Sequence, residues 1–470
     1  MRALVLTLIF VATAAAQSTL SPAVQEFVKI NAPVIAITGV SVIDGTGRPA
    51  QAGRTVVIAN GRIQSVTTAK AQVPPEAKVI DGSGYTIIPG IVGMHDHMFY
   101  PTGGGTIYAE LGYSAPRLYL AGGVTTIRTT GSIEPYTDLN LKKRIDEGQI
   151  PGPAMHVTGP YLEAPRAFTP QMHELTSVED ARKTVAFWAD QGVTSFKAYM
   201  HITRDQLRAA IEEAHKRGIK VTGHLCSIGF REAAELGIDD LEHGLVVDTE
   251  FVAGKKPDEC PEQAAVRAAL LKLDVNGAEV QQTIRELVRR KVAVTSTLPV
   301  FETSVPNRPP LRQVVLDSML PQARESYLSR RNQIAQSKDS PAPQLLKKEM
   351  QFEYAFAKAG GLLLAGLDPT GYGGVVPGFG DQREIELLVE AGFTPAEAIK
   401  IATLNGAQFL GIADRVGSVE PGKQADLVLI KGDPSRNITD IENVDTVFKQ
   451  GVGYDPVKLI ESAKGRVGLN

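Results

Sequence analysis

Residues that suit a metal centre stand at the ends of apolar, β-rich stretches of the sequence. The run 87–94 leads into His95 and His97, which are separated by one residue. In a β-strand alternate side chains share a face, so both imidazoles point the same way and can coordinate one metal ion. Such a pair can equally be two surface or capping histidines, because His-x-His also occurs by chance. Its meaning depends on further ligand-type residues elsewhere in the chain.

Four more strand-like runs end in residues of fitting chemistry, and they end at Lys197, His224, His243 and Asp368. In a barrel of parallel strands the carboxyl ends all meet at one face, so these residues would converge there. Neutral imidazole and carboxylate are ordinary zinc ligands. A lysine ammonium has no lone pair and cannot ligate as it stands.

The elements that must position these residues are indicated by length and pattern. The chain has 470 residues, 43% of them hydrophobic, which suits one large α/β barrel with a small added domain. β-rich and helical stretches alternate after His97, which is typical of parallel strands joined by helices. The first such connection is expected to be a glycine-rich loop at 103–105 and a helix near Ala109 to Ala121.

Both ends of the chain contain short strands instead. The turn Asn60-Gly61 lies between two β-rich runs, which is a strong hairpin signal. We therefore expect a (β/α)8 TIM barrel over residues 89–411, with a composite β-sandwich built from 17–88 and 412–470. The formal net charge is −3 and evenly spread, which argues against a nucleic-acid partner.

Residues 1–16 have the form of a secretory signal, with Arg2 before an apolar segment and Ala14-Ala15-Ala16 before Gln17. A buried helix or membrane anchor is the rival interpretation, but the apolar run is too short to span a bilayer. We expect a secreted or periplasmic protein with no membrane attachment after cleavage. Cys226 and Cys260 could pair in that setting, or remain buried thiols, because spacing alone does not fix their geometry.

Taken together, these motifs resemble the amidohydrolase superfamily, metal-dependent hydrolases built on a (β/α)8 barrel. The resemblance rests on Ile-Ile-Pro-Gly at 87–90 before His95-x-His97 and on the four other strand-end residues. It extends to the flanks, where 42–47 and 417–428 resemble the family's β-sandwich segments.

The resemblance implies two divalent metal ions, with zinc expected from the ligand types. His95, His97 and Asp368 would hold one ion, and His224 and His243 the other. Lys197 would be carbamylated and bridge the pair; the alternative is a surface or ion-paired lysine beside a single metal ion. The implied mechanism is attack by a metal-activated hydroxide, with Asp368 acting as base and then as acid.

The implied activity is cleavage of amide-type C–N bonds in a small amide or peptide. Within the superfamily the chain looks most like the dipeptidase and carboxypeptidase-like group related to prolidases, or like an N-acyl amino acid amidase. A cyclic amide hydrolase similar to imidazolonepropionase and a lactone or ester hydrolase are the alternatives. A catalytically silent barrel scaffold is disfavoured because every ligand position is filled. The sequence does not determine whether the protein forms a homo-oligomer.

Three further residues are candidate substrate contacts. Arg128 ends the second strand and could bind a substrate carboxylate or form a structural ion pair. Tyr199 ends the fourth strand and could hydrogen-bond the substrate or only pack. His201 follows Lys197 closely enough to reach the same face.

Overall fold

The structure is a computed structural model, and it describes residues 20–68, 72–102 and 107–469. The predicted signal peptide at 1–16 and the glycines at 103–105 lie outside these ranges, so the predictions about them stay predictions.

The described residues form nineteen strands, which are, in chain order, β1 (Val28–Ile30), β2 (Val34–Val42), β3 (Gln51–Ala59), β4 (Arg62–Thr68), β5 (Lys78–Asp81), β6 (Tyr85–Pro89), β7 (Ile91–Asp96), β8 (Phe99–Thr102), β9 (Ile107–Glu110), β10 (Val124–Thr129), β11 (Ala154–His156), β12 (Ser195–Ala198), β13 (Lys220–Gly223), β14 (Asp240–Glu242), β15 (Ala293–Ser296), β16 (Leu363–Ala365), β17 (Leu427–Lys431), β18 (Val444–Lys449) and β19 (Val452–Tyr454).

The α-helices of the same residues are, in chain order, α1 (Pro22–Gln25), α2 (Ser114–Ala121), α3 (Pro135–Asp146), α4 (Val178–Asp190), α5 (Arg204–Lys216), α6 (Phe230–Leu236), α7 (Gln263–Lys272), α8 (Ala278–Arg290), α9 (Leu298–Glu302), α10 (Gln313–Ser318), α11 (Pro321–Ala335), α12 (Ala342–Lys358), α13 (Phe379–Glu390), α14 (Pro395–Lys400), α15 (Gly406–Phe409) and α16 (Pro456–Ala463). None of these helices combines the length and the apolar character that a membrane span requires.

Eight parallel strands form the centre of the described molecule. β7, β10 and β11 make one parallel sheet, and β12 to β16 make a second. A parallel bridge between Thr158 and Ser195 joins the sheets at one junction. At the other, the Asp368 amide donates to the His95 carbonyl over 3.0 Å. The molecule is therefore of the TIM-barrel α/β type, with the eight strands where the sequence predicts them.

Strands from both ends of the chain share one sheet. Its order is β1-β19-β18-β17-β6-β2-β3-β4, with β5 paired to β2. β17 lies antiparallel to β6, with Leu427 opposite Pro89. The joining of the two ends agrees with the expected composite assembly, while the division into domains at 88 and 412 stays a prediction.

The run before His95 is two strands, because Gly90 separates β6 from β7. A Cβ at Gly90 would overlap the side chain of Thr125. Glycine is therefore needed where the chain leaves the sheet that contains β6 and enters the parallel strand β7.

The predicted helix near Ala109 to Ala121 is wrong at its start. Residues Ile107–Glu110 form β9, antiparallel to β8, and the helix begins at Ser114. Pairing with β8 buries Tyr108 and Ala109 in a hairpin. The sequence alone shows only the local helical pattern of this segment. Pairing with β8 determines its conformation instead.

Cys226 and Cys260 form a disulfide, with their Cα atoms 5.0 Å apart and a sequence separation of 34. Cys226 comes two residues after His224. The disulfide therefore ties the loop after β13 to the segment before α7.

We expect the double substitution Cys226→Ser and Cys260→Ser to lower the free energy of unfolding by about 2–4 kcal/mol, because the crosslink restricts the unfolded chain. Urea unfolding with and without reductant measures this. Reductant should destabilise the wild type and leave the double variant unchanged; equal stability of the two oxidised proteins would contradict the expectation.

Candidate metal centre

All six predicted ligand residues lie at the carboxyl ends of the parallel strands. His95 and Lys197 are the next-to-last residues of β7 and β12. His97, His224 and His243 directly follow β7, β13 and β14. Asp368 comes three residues after β16. Each side chain thus reaches the one face where the strand ends meet.

His95, His97 and Asp368 form the tightest part of this group, with donor atoms all within 4.8 Å of one another. His95 Nε2 is 3.7 Å from Asp368 Oδ2, and His97 Nε2 is 3.6 Å from Asp368 Oδ1. All three side chains are buried. Two imidazoles and a carboxylate at such spacing are a ligand set suited to one divalent ion.

The other three residues adjoin this set. Lys197 Nζ lies 3.1 Å from His95 Nε2, and His243 Nδ1 lies 3.8 Å from Asp368 Oδ2. The rings of His224 and His243 are 4.4 Å apart between centroids. The structure therefore brings all six residues together, with Lys197 among the histidines and the carboxylate.

Two of the six residues have strained backbones. His243 has φ +71° and Asp368 has φ +52°, a left-handed conformation that residues with a Cβ seldom adopt. Each turns the chain sharply at a strand end. Such strain persists where the surrounding structure holds it, and it is common at functional sites.

Hydrogen bonds fix how the histidine rings face. Nδ1 of His95 donates to Glu242 Oε2 over 2.8 Å, and Nδ1 of His97 donates to the Gly131 carbonyl over 3.1 Å. Nδ1 of His243 lies 2.8 Å from Thr297 Oγ1. For His95 and His97 this leaves the Nε2 lone pair directed at the site, which is the orientation a metal ligand needs.

Burial keeps these groups in their neutral forms. It lowers the pKa of His95, His97 and His243 well below the ordinary value, and the pKa of His224 to about 3. Neutral imidazole is the form that binds metal.

The lysine and the aspartate respond to the same burial. It lowers the pKa of Lys197 to about 8 and raises the pKa of Asp368 to about 6. A fraction of the Lys197 amine is therefore uncharged near neutral pH. Asp368 is poised to exchange a proton in the same range, as a general acid and base must.

Arg128 is fully buried and lies beside the site without entering it. Its guanidinium donates to the Met94 carbonyl over 2.9 Å and to Glu242 Oε1 over 2.9 Å. A third contact reaches Asp240 Oδ2 at 3.2 Å. These contacts favour the structural ion pair over the substrate carboxylate, the two roles that the sequence left open.

Glu242 is the central residue of this arrangement, and sequence analysis did not single it out. It accepts from both Arg128 and His95. Although burial opposes its ionisation, Arg128 and Lys197 outweigh burial and hold the pKa of Glu242 below its ordinary value. Its position directly before His243 in β14 was the available signal.

The remaining candidate substrate residues lie at the same face. The Tyr199 ring packs against His224, with centroids 4.9 Å apart. His201 Nδ1 lies 3.3 Å from Oε2 of buried Glu163, whose other oxygen accepts the His201 amide over 2.7 Å. Tyr199 therefore borders the metal residues directly, whereas His201 is tied to Glu163.

Comparison with known proteins agrees with this geometry. The sequence model described as the amidohydrolase family matches residues 86–453. Imidazolonepropionase of Desulfotalea psychrophila is 44% identical over 61 residues, a match that spans 12% of this chain and 15% of that enzyme.

Solved structures resemble the chain over nearly its whole length. One from Bifidobacterium longum, assigned as a prolidase, has 26% identity and a TM-score of 0.64, covering 92% of this chain and 98% of that one. A bottromycin amidohydrolase has 21% identity and a TM-score of 0.68, covering 96% and 94% of the two chains. The second likeness speaks for the fold alone.

We expect Arg128→Met to lower the free energy of unfolding by about 3–5 kcal/mol, because it leaves the buried carboxylate of Glu242 without its cation. Urea unfolding of the metal-free protein measures this. Arg182→Met is the matched control, since Arg182 pairs with Glu212 at the surface, and it should cost at most about 1 kcal/mol. A rise in KM with unchanged stability would instead assign Arg128 to substrate binding.

Proposed function

Because the chain belongs to the amidohydrolase family, which comprises metal-dependent hydrolases of C–N bonds, we propose that it cleaves the amide bond of dipeptides or N-acyl amino acids. The observation that carries the proposal is the convergence of His95, His97, Lys197, His243 and Asp368 around one point. The similarity to a structure assigned as a prolidase supports dipeptides as substrates.

The residues fit a pair of divalent metal ions. His97 Nε2 and Asp368 Oδ1 are buried and have no hydrogen-bond partner among the described residues, which is costly unless another group satisfies them. In this proposal His95, His97 and Asp368 hold one ion, and His224 and His243 hold the other. Zinc is the expected metal for such nitrogen and oxygen donors.

Lys197 would complete the set as a carbamate. Its neutral Nζ attacks the carbon of carbon dioxide, an N–C bond forms, one C=O electron pair moves to oxygen, and a proton passes from Nζ to a water molecule. The product is an anion with two donor oxygens, in place of an ammonium group that would repel two cations. Burial, which lowers the pKa of Lys197 to about 8, supplies the neutral amine that this step requires.

A bound metal pair would supply Lewis acidity for the scissile carbonyl and lower the pKa of a water molecule. The protein's own part in the reaction is proton transfer at Asp368. Its carboxylate accepts a proton from the attacking water and passes it to the leaving nitrogen. In the metal-free site burial raises the pKa of Asp368 to about 6, and a carboxyl group that exchanges protons near neutral pH can serve as acceptor and then as donor.

We expect Asp368→Asn to lower kcat by about 10²–10⁴-fold, because the amide cannot carry the proton. Metal content should stay near that of the wild type, since the amide oxygen remains a possible donor. Turnover of dipeptides and N-acyl amino acids and elemental analysis measure the two effects.

Asp414→Asn, a change at an exposed carboxylate, serves as the control and should leave both quantities unchanged. Full activity of Asp368→Asn would exclude the proton-transfer role. Turnover of lactones or cyclic amides alone, with none of linear amides, would overturn the proposed substrate class.

We expect reactivation of metal-free, carbamate-free protein by zinc and bicarbonate to rise with pH through about 8. Below that pH Lys197 is mostly ammonium, which cannot attack carbon dioxide, and above it the neutral amine predominates. The initial rate of activity recovery at fixed dissolved carbon dioxide measures this.

Lys197→Ala should show no bicarbonate response and should regain part of its activity with a short-chain carboxylate, which can occupy the place of the carbamate. Lys183→Ala, at an exposed lysine, should behave as the wild type. Reactivation that is independent of both bicarbonate and Lys197 would contradict the carbamate.

A further inference from the structure

A continuous aromatic wall lines one side of the metal residues. We define it by five rings, and these are Phe99, Tyr108, Tyr161, Phe168 and Tyr199. At one end Phe99 stacks on His97 with centroids 4.3 Å apart. At the other end Tyr199 meets His224 edge to face at 4.9 Å. The wall thus runs from one predicted metal set to the other.

Neighbouring rings of the wall contact one another. Tyr108 meets Phe99 at 5.2 Å and Phe168 at 5.3 Å, both edge to face. Phe168 lies 5.4 Å from Tyr199, and Tyr199 lies 5.0 Å from Tyr161. Centroid separations of this size are those of favourable aromatic pairs.

The wall also faces Lys197 directly. Lys197 Nζ is 5.5 Å from the centroid of Tyr161 and 5.6 Å from that of Tyr199. A group held against these two rings would therefore adjoin the proposed carbamate and the scissile bond beside it.

The wall is held in shape before any substrate arrives. Phe99 and Tyr108 belong to the β8–β9 hairpin, while Tyr161 and Phe168 belong to the segment between β11 and α4. Gln171 joins the two parts, since its side chain accepts the Tyr108 amide over 3.0 Å and donates to the Tyr108 carbonyl over 3.2 Å. A preformed surface loses little conformational entropy on binding.

Phe168 is the most exposed ring of the wall, and Tyr199 is half-buried. Phe168 is 38% exposed, whereas Phe99, Tyr108 and Tyr161 are at most 7% exposed. The exposed ring of Phe168, which contacts both Tyr108 and Tyr199, is where an apolar group can meet the wall from solvent.

We infer that the aromatic wall is the subsite for an aromatic side group of the amide substrate, adjacent to the scissile bond. The inference rests on the proposed function. Aromatic faces can also attract cations, but an ammonium group placed here would lie beside the two cations of the proposed metal pair. A neutral ring is therefore the occupant that both the wall and its neighbours favour.

The test compares N-acetyl-L-phenylalanine and N-benzoyl-L-alanine with N-acetyl-L-alanine, using zinc-loaded protein. At least one aromatic compound should have a kcat/KM at least about tenfold higher, since burial of a phenyl ring is worth that factor or more. Phe168→Ala should bring the ratio to about threefold or less, with the larger loss of kcat/KM falling on the aromatic compound.

Tyr113→Ala is the matched control, because Tyr113 is 43% exposed and packs on Arg117 and Arg466 away from the wall. It should preserve the aromatic preference. An equal loss for all three compounds in Phe168→Ala, or no aromatic preference in the wild type, would overturn the inference while leaving the hydrolase proposal intact.

Calorimetric binding of the same compounds separates the two proposals. If neither these compounds nor dipeptides are hydrolysed, the proposed function fails, yet the wall still predicts at least about tenfold tighter binding of an aromatic compound to the wild type than to Phe168→Ala. Equal affinity of the two proteins would overturn the subsite independently of turnover.

Discussion

The main-chain contact between the last and the first parallel strands holds the candidate site together. The Asp368 amide donates to the His95 carbonyl over 3.0 Å, which places the Asp368 carboxylate against both histidines of the first strand. Gly366 permits this approach, because a Cβ there would overlap the main chain of His95. Residues some 270 positions apart thus share one site, because eight parallel strands bring their carboxyl ends to one face.

Burial is the second condition on which the chemistry depends. Removing these groups from water disfavours every charged form, so it lowers the pKa of Lys197 and of the histidines and raises the pKa of Asp368. Arg128 forms buried ion pairs with Asp240 and Glu242, and Glu242 in turn orients His95. The same desolvation thus yields neutral ligands, a reactive amine and a carboxyl group able to exchange protons.

The residues at strand ends could be predicted from sequence because strand periodicity and the preceding apolar runs are local signals. The role of Arg128, the contribution of Glu242 and the aromatic wall could not, since each depends on which separate elements touch. The β8–β9 hairpin shows the same limit, because Ile107–Glu110 is a strand only through its pairing with Phe99–Thr102. Contacts between elements, and not propensity, decided these features.

The most direct measurement of the central claim is crystallography of the zinc-loaded protein at the zinc absorption edge. We expect two anomalous peaks, one within about 2.0–2.2 Å of donor atoms from His95, His97 and Asp368 and one equally close to His224 and His243. Continuous density should extend from Lys197 Nζ between them. No peak among these residues, or a single peak beside an unmodified Lys197, would contradict the binuclear centre.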